Sequence, residues 1–175
     1  VHTDEGDFEG RAIIIATGSE HKKLGVPGEE EFSGRGVSYC AVCDGAFFKN
    51  KEVVVIGGGD SAIEEGIYLT QLASQVTVIH RRDQLRAQEI LQKRAFDNDK
   101  MKFIWNAQVQ TIEGDDKKVT GVTYTDKVTG QAQQIDASGV FIYVWIDPMT
   151  EAFKDLDILT PAGWIKTDDH MATKV

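Results

Sequence analysis

The feature that most constrains the fold is a run of glycines between an apolar stretch and a helix-forming segment. Residues 53–56 are all β-branched, which predicts a short strand buried on both faces of a parallel sheet. The pattern G-x-G-x-x-A follows at once and comprises Gly57, Gly58, Gly59, Asp60, Ser61 and Ala62. In this pattern the first glycine permits a tight turn, the second lets a pyrophosphate approach the backbone, and the alanine allows close helix–strand packing. With the N–H groups of a helix N-terminus behind it, the stretch predicts a dinucleotide site.

The residues after the next apolar run distinguish between the two nicotinamide dinucleotides. Residues 76–79 predict a second strand, which completes a β-α-β unit. An NAD site usually places a carboxylate at the end of that strand, but this chain has the basic set His80, Arg81, Arg82 and Arg86. Guanidinium groups pair with phosphate, so the set predicts contact with the 2′-phosphate of NADPH rather than binding of NADH. An isolated arginine pair is more often an exposed basic turn, but a glycine turn at this spacing favours the functional interpretation.

Composition excludes several classes of function. A chain of 175 residues with 41% hydrophobic and 27% charged residues is typical of a globular domain of ordinary size. The net charge of −9 argues against nucleic acid as a partner and makes the basic set a local feature. No apolar run approaches the length of a membrane span, and no signal peptide opens the chain. We therefore expect a cytoplasmic protein without a membrane partner.

The two cysteines, Cys40 and Cys43, form a C-x-x-C motif. A structural zinc site needs four ligands, and the four histidines are scattered without ligand spacing, so no metal site is predicted. The motif is either a pair of inert buried thiols or a redox pair, and its place beside a β-α-β unit favours the redox pair. Asp44 comes next and could move the proton that thiolate chemistry requires; from spacing alone, a turn or helix-end residue fits equally well.

Three motifs together resemble low-molecular-weight bacterial thioredoxin reductase. They are Cys-Ala-Val-Cys-Asp-Gly at 40–45, Gly-Gly-Gly-Asp-Ser-Ala at 57–62 and His-Arg-Arg-Asp-Gln-Leu-Arg-Ala at 80–87, in the order and spacing of that family. Ala-Thr-Gly at 16–18 resembles the segment where the FAD domain of the family gives way to its NADPH domain. The resemblance extends along essentially the whole chain. It implies an α/β fold: a Rossmann-like nucleotide-binding domain with a parallel sheet plus an antiparallel β-meander.

The resemblance also implies a reaction and a role for each site residue. In this family NADPH reduces FAD, the flavin reduces the C-x-x-C disulfide, and the dithiol reduces thioredoxin. By resemblance Cys43 is the flavin-proximal cysteine, Cys40 attacks thioredoxin, and Asp44 is the acid–base residue. The residues implied to hold NADPH, chiefly its 2′-phosphate, are Ser61, His80, Arg81, Arg82 and Arg86. A homodimer is expected of the full-length family member.

The sequence departs from the family pattern in two ways. The glycine-rich FAD-binding unit and the closing Gly-Asp segment are absent, so we expect a fragment in which FAD is bound only by the full-length parent. Residues 1–36 and 145–175 then correspond to remnants of the FAD domain and its linker, on either side of an NADPH-binding domain with the C-x-x-C motif at 37–144. The second departure is Trp145, where the family has a glycine that would permit close approach of a nucleotide. Either the indole lies outward or the segment has moved.

The remaining segments carry weaker patterns. They predict a hairpin within 1–10, a buried strand at 11–16, a solvated acidic loop at 29–31, a helix at 84–96 capped by Asp83, a strand at 101–105, a meander over 108–136 and a buried strand at 139–144. In that helix we expect Leu85, Ile90 and Leu91 to contribute to the core.

Two other functions fit the same motifs. The flavoprotein partner of a peroxiredoxin shares this architecture and passes electrons to a fused thioredoxin-like domain, but the basic set is less expected there. A non-catalytic NADPH-binding module with inert cysteines belongs to a different class. Titration of the dithiol separates the module from the enzymes, because a sensor need not cycle its disulfide.

Overall fold

The computed structural model describes all 175 residues. Its strands, in chain order, are β1 (His2–Thr3), β2 (Gly6–Asp7), β3 (Ser19–His21), β4 (Val37–Ser38), β5 (Glu52–Gly57), β6 (Gln75–Ile79), β7 (Met101–Ile104), β8 (Ala107–Gly114), β9 (Val119–Asp126), β10 (Ala132–Asp136), β11 (Gly139–Tyr143) and β12 (Ile146–Pro148). Its α-helices are α1 (Ala41–Asp44), α2 (Asp60–Leu69) and α3 (Glu89–Phe96), and two 3₁₀ helices span Gly45–Phe48 and Glu151–Leu156. None of these helices is long and apolar enough to cross a bilayer. The chain divides into two compact units: His21–Trp145, and Val1–Glu20 with Ile146–Val175.

The larger unit is built on a five-stranded parallel sheet in the order β4-β11-β5-β6-β7. Parallel neighbours cannot be joined by a tight hairpin, so helix α2 crosses over between β5 and β6. Strand β5 lies between β11 and β6. From β5 the chain continues to β6 and β7 on one side, whereas β11 and β4 lie on the other side, so the strand order reverses at β5. Ligands of open α/β sheets bind outside the carboxyl ends of the strands at such points. The predicted strands at 53–56, 76–79, 101–105 and 139–144 are confirmed.

Two hydrophobic clusters cover the opposite faces of this sheet, because successive side chains of a strand alternate in direction. Val55 belongs to the cluster that contains Ile63 of helix α2. Val54 belongs to the other cluster, with Ile112 and Val122 of the antiparallel strands. All five side chains are less than 3% exposed. Burial on both faces explains why the β5 sequence is apolar without interruption.

The antiparallel strands β8, β9 and β10 form a separate sheet in the order β10-β9-β8. Their apolar side chains join the second cluster of the parallel sheet, so the predicted meander and its packing are confirmed. Together the two sheets give the Rossmann-like α/β fold expected from the sequence.

The predicted strand at 11–16 is wrong. These residues pair with no strand in the structure, and Ile13 and Ile14 are 66% and 93% exposed. A run of β-branched residues favours an extended backbone, but it becomes a strand only where neighbours satisfy its N–H and C=O groups and cover its faces. The hairpin at the start of the chain is confirmed, since β1 and β2 pair antiparallel.

The helix predicted at 84–96 begins only at Glu89, so the cap assigned to Asp83 is also wrong. The preceding loop is attached to the glycine turn: the amides of Arg86 and Ala87 donate to the Gly58 carbonyl at 2.7 and 3.2 Å. Amides bound to a distant carbonyl cannot join a helical ladder. Of the predicted core residues of this segment, Leu85 is buried and Leu91 packs against the first cluster, but Ile90 is 54% exposed.

Part of the acidic segment at 29–31 is buried, contrary to the predicted solvated loop. Glu29 is 2% exposed, and its carboxylate accepts from the amides of Leu24 and Gly25 at 2.8 and 2.6 Å and from the Tyr39 hydroxyl at 2.7 Å. These three donors compensate the burial of the carboxylate. Phe32 lies in the second cluster, so residues 21–36, which the sequence suggested were a linker, pack within the larger unit.

Candidate active site

The glycine turn lies at the carboxyl end of β5. A Cβ atom on Gly57, whose φ is +154°, would lie 2.5 Å from the Tyr143 carbonyl oxygen, and one on Gly58 would lie 2.3 Å from the His80 imidazole. A Cβ on Gly59 would meet nothing within 4 Å. Packing inside the protein therefore requires the first two glycines, whereas Gly59 leaves open space beside the backbone.

Helix α2 starts directly behind this turn, and its N-cap, Gly59, supplies no side-chain hydrogen bond. The first amides of the helix are therefore available to an anion. Ala62 is fully buried, as its predicted packing role requires, and Ser61 is exposed on the first turn. The Asp60 carboxylate accepts from the amide and the side chain of Gln88 at 2.7 and 3.1 Å, and these hydrogen bonds lower the pKa of Asp60. Through these hydrogen bonds Asp60 links the start of α2 to the loop that contains the predicted arginines.

A cavity of about 570 Å³ lies beside the turn. The predicted site residues that line it are Gly57, Gly58, His80, Arg81 and Arg86. Arg82 is exposed and lies outside the lining. Lys127, between β9 and β10, also lines the cavity, and its Nζ donates to the Arg81 carbonyl at 3.2 Å. Sequence reasoning missed Lys127, because only the packing of the meander brings it to this cavity. The cationic lining suits a phosphate group.

His80 places an unpaired polar atom at this cavity. Its side chain is 4% exposed, and its Nε2 is buried without a hydrogen-bond partner. Burial lowers the pKa of His80, and the charge of Arg86 lowers it further, so the imidazole is neutral near pH 7. His80 therefore lies beside the cavity as a neutral imidazole next to Arg86.

The disulfide joins Cys40 and Cys43 at the first turn of α1, with their Cα atoms 5.3 Å apart. Cys40 is the N-cap of the helix, and its Sγ accepts from the Cys43 amide at 3.2 Å. Ser38, which the sequence did not indicate, donates to Asp44 Oδ2 at 2.6 Å and accepts from the Cys40 amide at 3.1 Å. Ser38 therefore links the Asp44 carboxylate to the backbone of Cys40.

Sequence reasoning also missed Glu65 and Tyr143. The Ala41 amide donates to Glu65 Oε2 at 3.0 Å and to the Tyr143 hydroxyl at 2.9 Å, and that hydroxyl donates to Glu65 Oε2 at 3.3 Å. Burial raises the pKa of Tyr143, and the charge of Glu65 raises it further, so the phenol keeps its proton. The sequence signal that could have identified Glu65 is its position three residues after Ala62, which places its carboxylate beside the buried face of α2.

Trp145 lies at the edge of the same cavity and is 50% exposed. Its carbonyl accepts from the Lys22 amide at 2.9 Å. Of the two alternatives for this position, the structure shows a half-exposed indole on a backbone that remains attached to the unit.

These features define a class of protein. A parallel sheet with a glycine turn at its switch point, a cation-lined cavity and a disulfide on the adjoining helix are typical of a nucleotide-dependent disulfide oxidoreductase. The whole chain, residues 1–175, matches the family described as pyridine nucleotide-disulphide oxidoreductase, and it belongs to that family.

Within this family the chain is similar to thioredoxin reductases, which confirms the resemblance seen in its motifs. It is 58% identical to the thioredoxin reductase of Bacillus subtilis over 97% of this chain and 54% of that protein. It is 60% identical to that of Listeria monocytogenes over 96% of this chain and 53% of that protein. The crystal structure of Lactococcus lactis thioredoxin reductase matches with a TM-score of 0.90 at 55% identity, over 98% of this chain and 57% of that chain. The chain thus spans about half the length of the curated relatives it matches.

Proposed function

We propose that this chain is the NADPH-binding part of a flavoprotein disulfide reductase that reduces thioredoxin through Cys40 and Cys43. The observation that carries the proposal is the position of Tyr143, which links the two sites. Its carbonyl lies against Gly57 at the cavity, and its hydroxyl binds the Ala41 amide at the start of the disulfide helix. The proposed full-length protein is a cytoplasmic homodimer.

The cavity residues fit NADPH. The open space at Gly59 and the amides of α2 suit the pyrophosphate, while Arg81 and Arg86 suit the 2′-phosphate. His80 lines the same cavity as a neutral imidazole and adds to the proposed site. Ser61 and Arg82 are exposed nearby and add to the proposed site. When bound, NADPH supplies two electrons as hydride.

The residues of this chain do not fit FAD. Residues 11–16 pair with no strand, and the glycine turn behind β5 already faces the cation-lined cavity. We therefore assign FAD binding to the full-length protein.

In this proposal residues of this chain carry out the thiol–disulfide exchange with thioredoxin. In the reduced protein the Cys40 thiolate attacks the disulfide of thioredoxin, and one thioredoxin thiolate leaves. The Cys43 thiolate then attacks Cys40 Sγ, which releases thioredoxin and restores the Cys40–Cys43 disulfide. Two electrons and two protons pass to thioredoxin, and Asp44, held by Ser38, accepts and returns the protons of the thiols.

The test uses the chain without flavin. The protein is reduced with dithiothreitol, desalted and mixed with oxidised thioredoxin, and thiols are counted on both proteins by alkylation and mass spectrometry. We expect one thioredoxin disulfide reduced per chain. Cys43→Ser should trap a mixed disulfide through Cys40, and Cys40→Ser should trap none. Absence of exchange by the reduced wild-type chain would contradict the proposal and favour a non-catalytic module.

A further inference from the structure

The first amide of α1, the helix that carries the disulfide, donates to two oxygen atoms at once. In a helix with an N-terminal cysteine, free N–H groups of the first turn stabilise a thiolate. Here the Ala41 amide, directly after Cys40, donates instead to Glu65 Oε2 and to the Tyr143 hydroxyl, at 3.0 and 2.9 Å. The Cys43 amide is the one that reaches Cys40 Sγ.

The arrangement also places a negative charge next to the redox pair. Glu65 projects from α2, is partly buried, and accepts from the Tyr143 hydroxyl at 3.3 Å. The Glu65 carboxylate accepts from the amide next to Cys40. Its negative charge therefore repels the negative charge of a thiolate formed at Cys40 and raises the free energy of that thiolate. The opposition is absent in the disulfide, which carries no charge, so it acts on the reduced state alone.

We propose that the charge of the Glu65 carboxylate, held by Tyr143, keeps the Cys40–Cys43 dithiol strongly reducing. The inference rests on the proposed function, because it requires the pair to cycle. Reduction breaks the Sγ–Sγ bond and adds two electrons and two protons. As the pH rises the Cys40 thiol releases its proton, and the thiolate forms next to the Ala41 amide that donates to the Glu65 carboxylate. Destabilising that state favours the disulfide, so the dithiol gives up its electrons more readily.

The test is a redox titration of the full chain at several pH values. Wild type and Glu65→Gln, which keeps the size of the side chain and one oxygen acceptor, are equilibrated with dithiothreitol and its cyclic disulfide between pH 6 and pH 9. The dithiol of this buffer loses the two electrons and two protons that Cys40 and Cys43 gain. Free thiols are alkylated after acid quench and counted by mass.

We expect the two proteins to agree near pH 6, where cysteine thiols are protonated, and to diverge as the thiols ionise around pH 8.5. By pH 9 the equilibrium constant of Glu65→Gln should favour the dithiol by up to about fourfold, which corresponds to about 18 mV for a two-electron couple. Glu64→Gln is the matched control, because Glu64 is the exposed neighbour on the same helix, and it should follow wild type.

Tyr143→Phe provides a second, independent reading. It removes the hydroxyl that holds Glu65 and leaves the bond of the carboxylate to the Ala41 amide in place, so it should shift the equilibrium at pH 9 toward the dithiol by less than Glu65→Gln does. Shifts of the same sign that grow with pH in both variants support the charge-based role, whereas shifts of equal size at every pH would overturn it. If the wild-type pair titrates and Glu65→Gln follows it at all pH values, the inference alone fails. If the wild-type pair does not titrate, the proposed function fails with it.

Discussion

The charges around the cavity act on one another at the scale of single residues. Burial and the neighbouring guanidinium of Arg86 lower the pKa of His80, so its imidazole is neutral at the cavity near pH 7. The positive charge at the cavity is therefore that of the lysines and arginines that line it: Lys22, Lys23, Arg81, Arg86 and Lys127. Guanidinium groups bind phosphate as a planar fork, which is the physical basis of the part in selecting a 2′-phosphate that we propose for Arg86.

We therefore expect Arg86→Gln to weaken NADPH binding about tenfold, or about 1.4 kcal/mol, and to leave NADH binding unchanged. Calorimetric titration with both nucleotides measures the ratio. Arg94→Gln is the control, because Arg94 is exposed on α3 and lies outside the cavity lining. An equal loss of affinity for both nucleotides would show that Arg86 does not distinguish them.

Two neighbouring glycines should respond differently to alanine. A methyl group on Gly58 collides with the His80 ring at 2.3 Å, so Gly58→Ala should destabilise the fold by about 1–3 kcal/mol, as overpacking does. A methyl group on Gly59 meets open space, so Gly59→Ala should keep its stability and lose NADPH affinity. Urea unfolding measures the first effect and calorimetry the second. Similar stability of the two variants would contradict the close packing at Gly58.

At the scale of elements, the loop between β6 and α3 shows where sequence patterns stop being informative. Its composition predicted a helix from residue 84, but two of its amides bind the Gly58 carbonyl and Gln88 binds Asp60. Those partners lie more than twenty-five residues earlier in the chain, so no local propensity reports them. The parallel strands were predictable because an uninterrupted apolar run has few other uses, whereas the exposed run at 11–16 has the same composition without strand partners.

The bond between Asp60 and Gln88 should give this loop a pH dependence. Hydrogen bonds from Gln88 lower the pKa of Asp60 in the folded protein. A carboxyl with a folded pKa below its unfolded value, about 3.9 for aspartate, stabilises the fold above that value and loses the contribution as pH falls through the folded pKa.

We therefore expect Asp60→Asn to unfold at lower urea concentration than wild type at pH 7 and the difference to close as the pH falls below about 4. The control is Asp99→Asn, an exposed carboxyl outside this contact. A stability difference that persists unchanged at acid pH would mean that the charge of Asp60 does not matter.

At the scale of the whole molecule, the larger unit contains both proposed sites and its own core. Every residue of the two hydrophobic clusters lies between Leu24 and Val144, inside the unit His21–Trp145. The sequence suggested a boundary at residue 37 because residues 1–36 were expected to be a remnant of the FAD domain and its linker. Composition could not show that Glu29 would find three donors or that Phe32 would be 4% exposed.

Two truncated chains test whether the folding unit begins at residue 21 or at residue 37. The chain 21–145 should fold and bind NADPH with the affinity of the full chain, because it keeps both clusters and the cavity. The chain 37–145 loses Phe32 and the partly buried Leu24 and Val26 from the second cluster.

Losing one buried phenylalanine side chain alone costs about 3–5 kcal/mol of folding free energy. A typical domain is stabilised by only about 5–15 kcal/mol, so this loss is a large share of the total. Urea unfolding followed by circular dichroism should therefore show a cooperative transition for 21–145 and a weakened or absent one for 37–145. Equal stability of the two chains would place residues 21–36 outside the folding unit, as the composition had suggested.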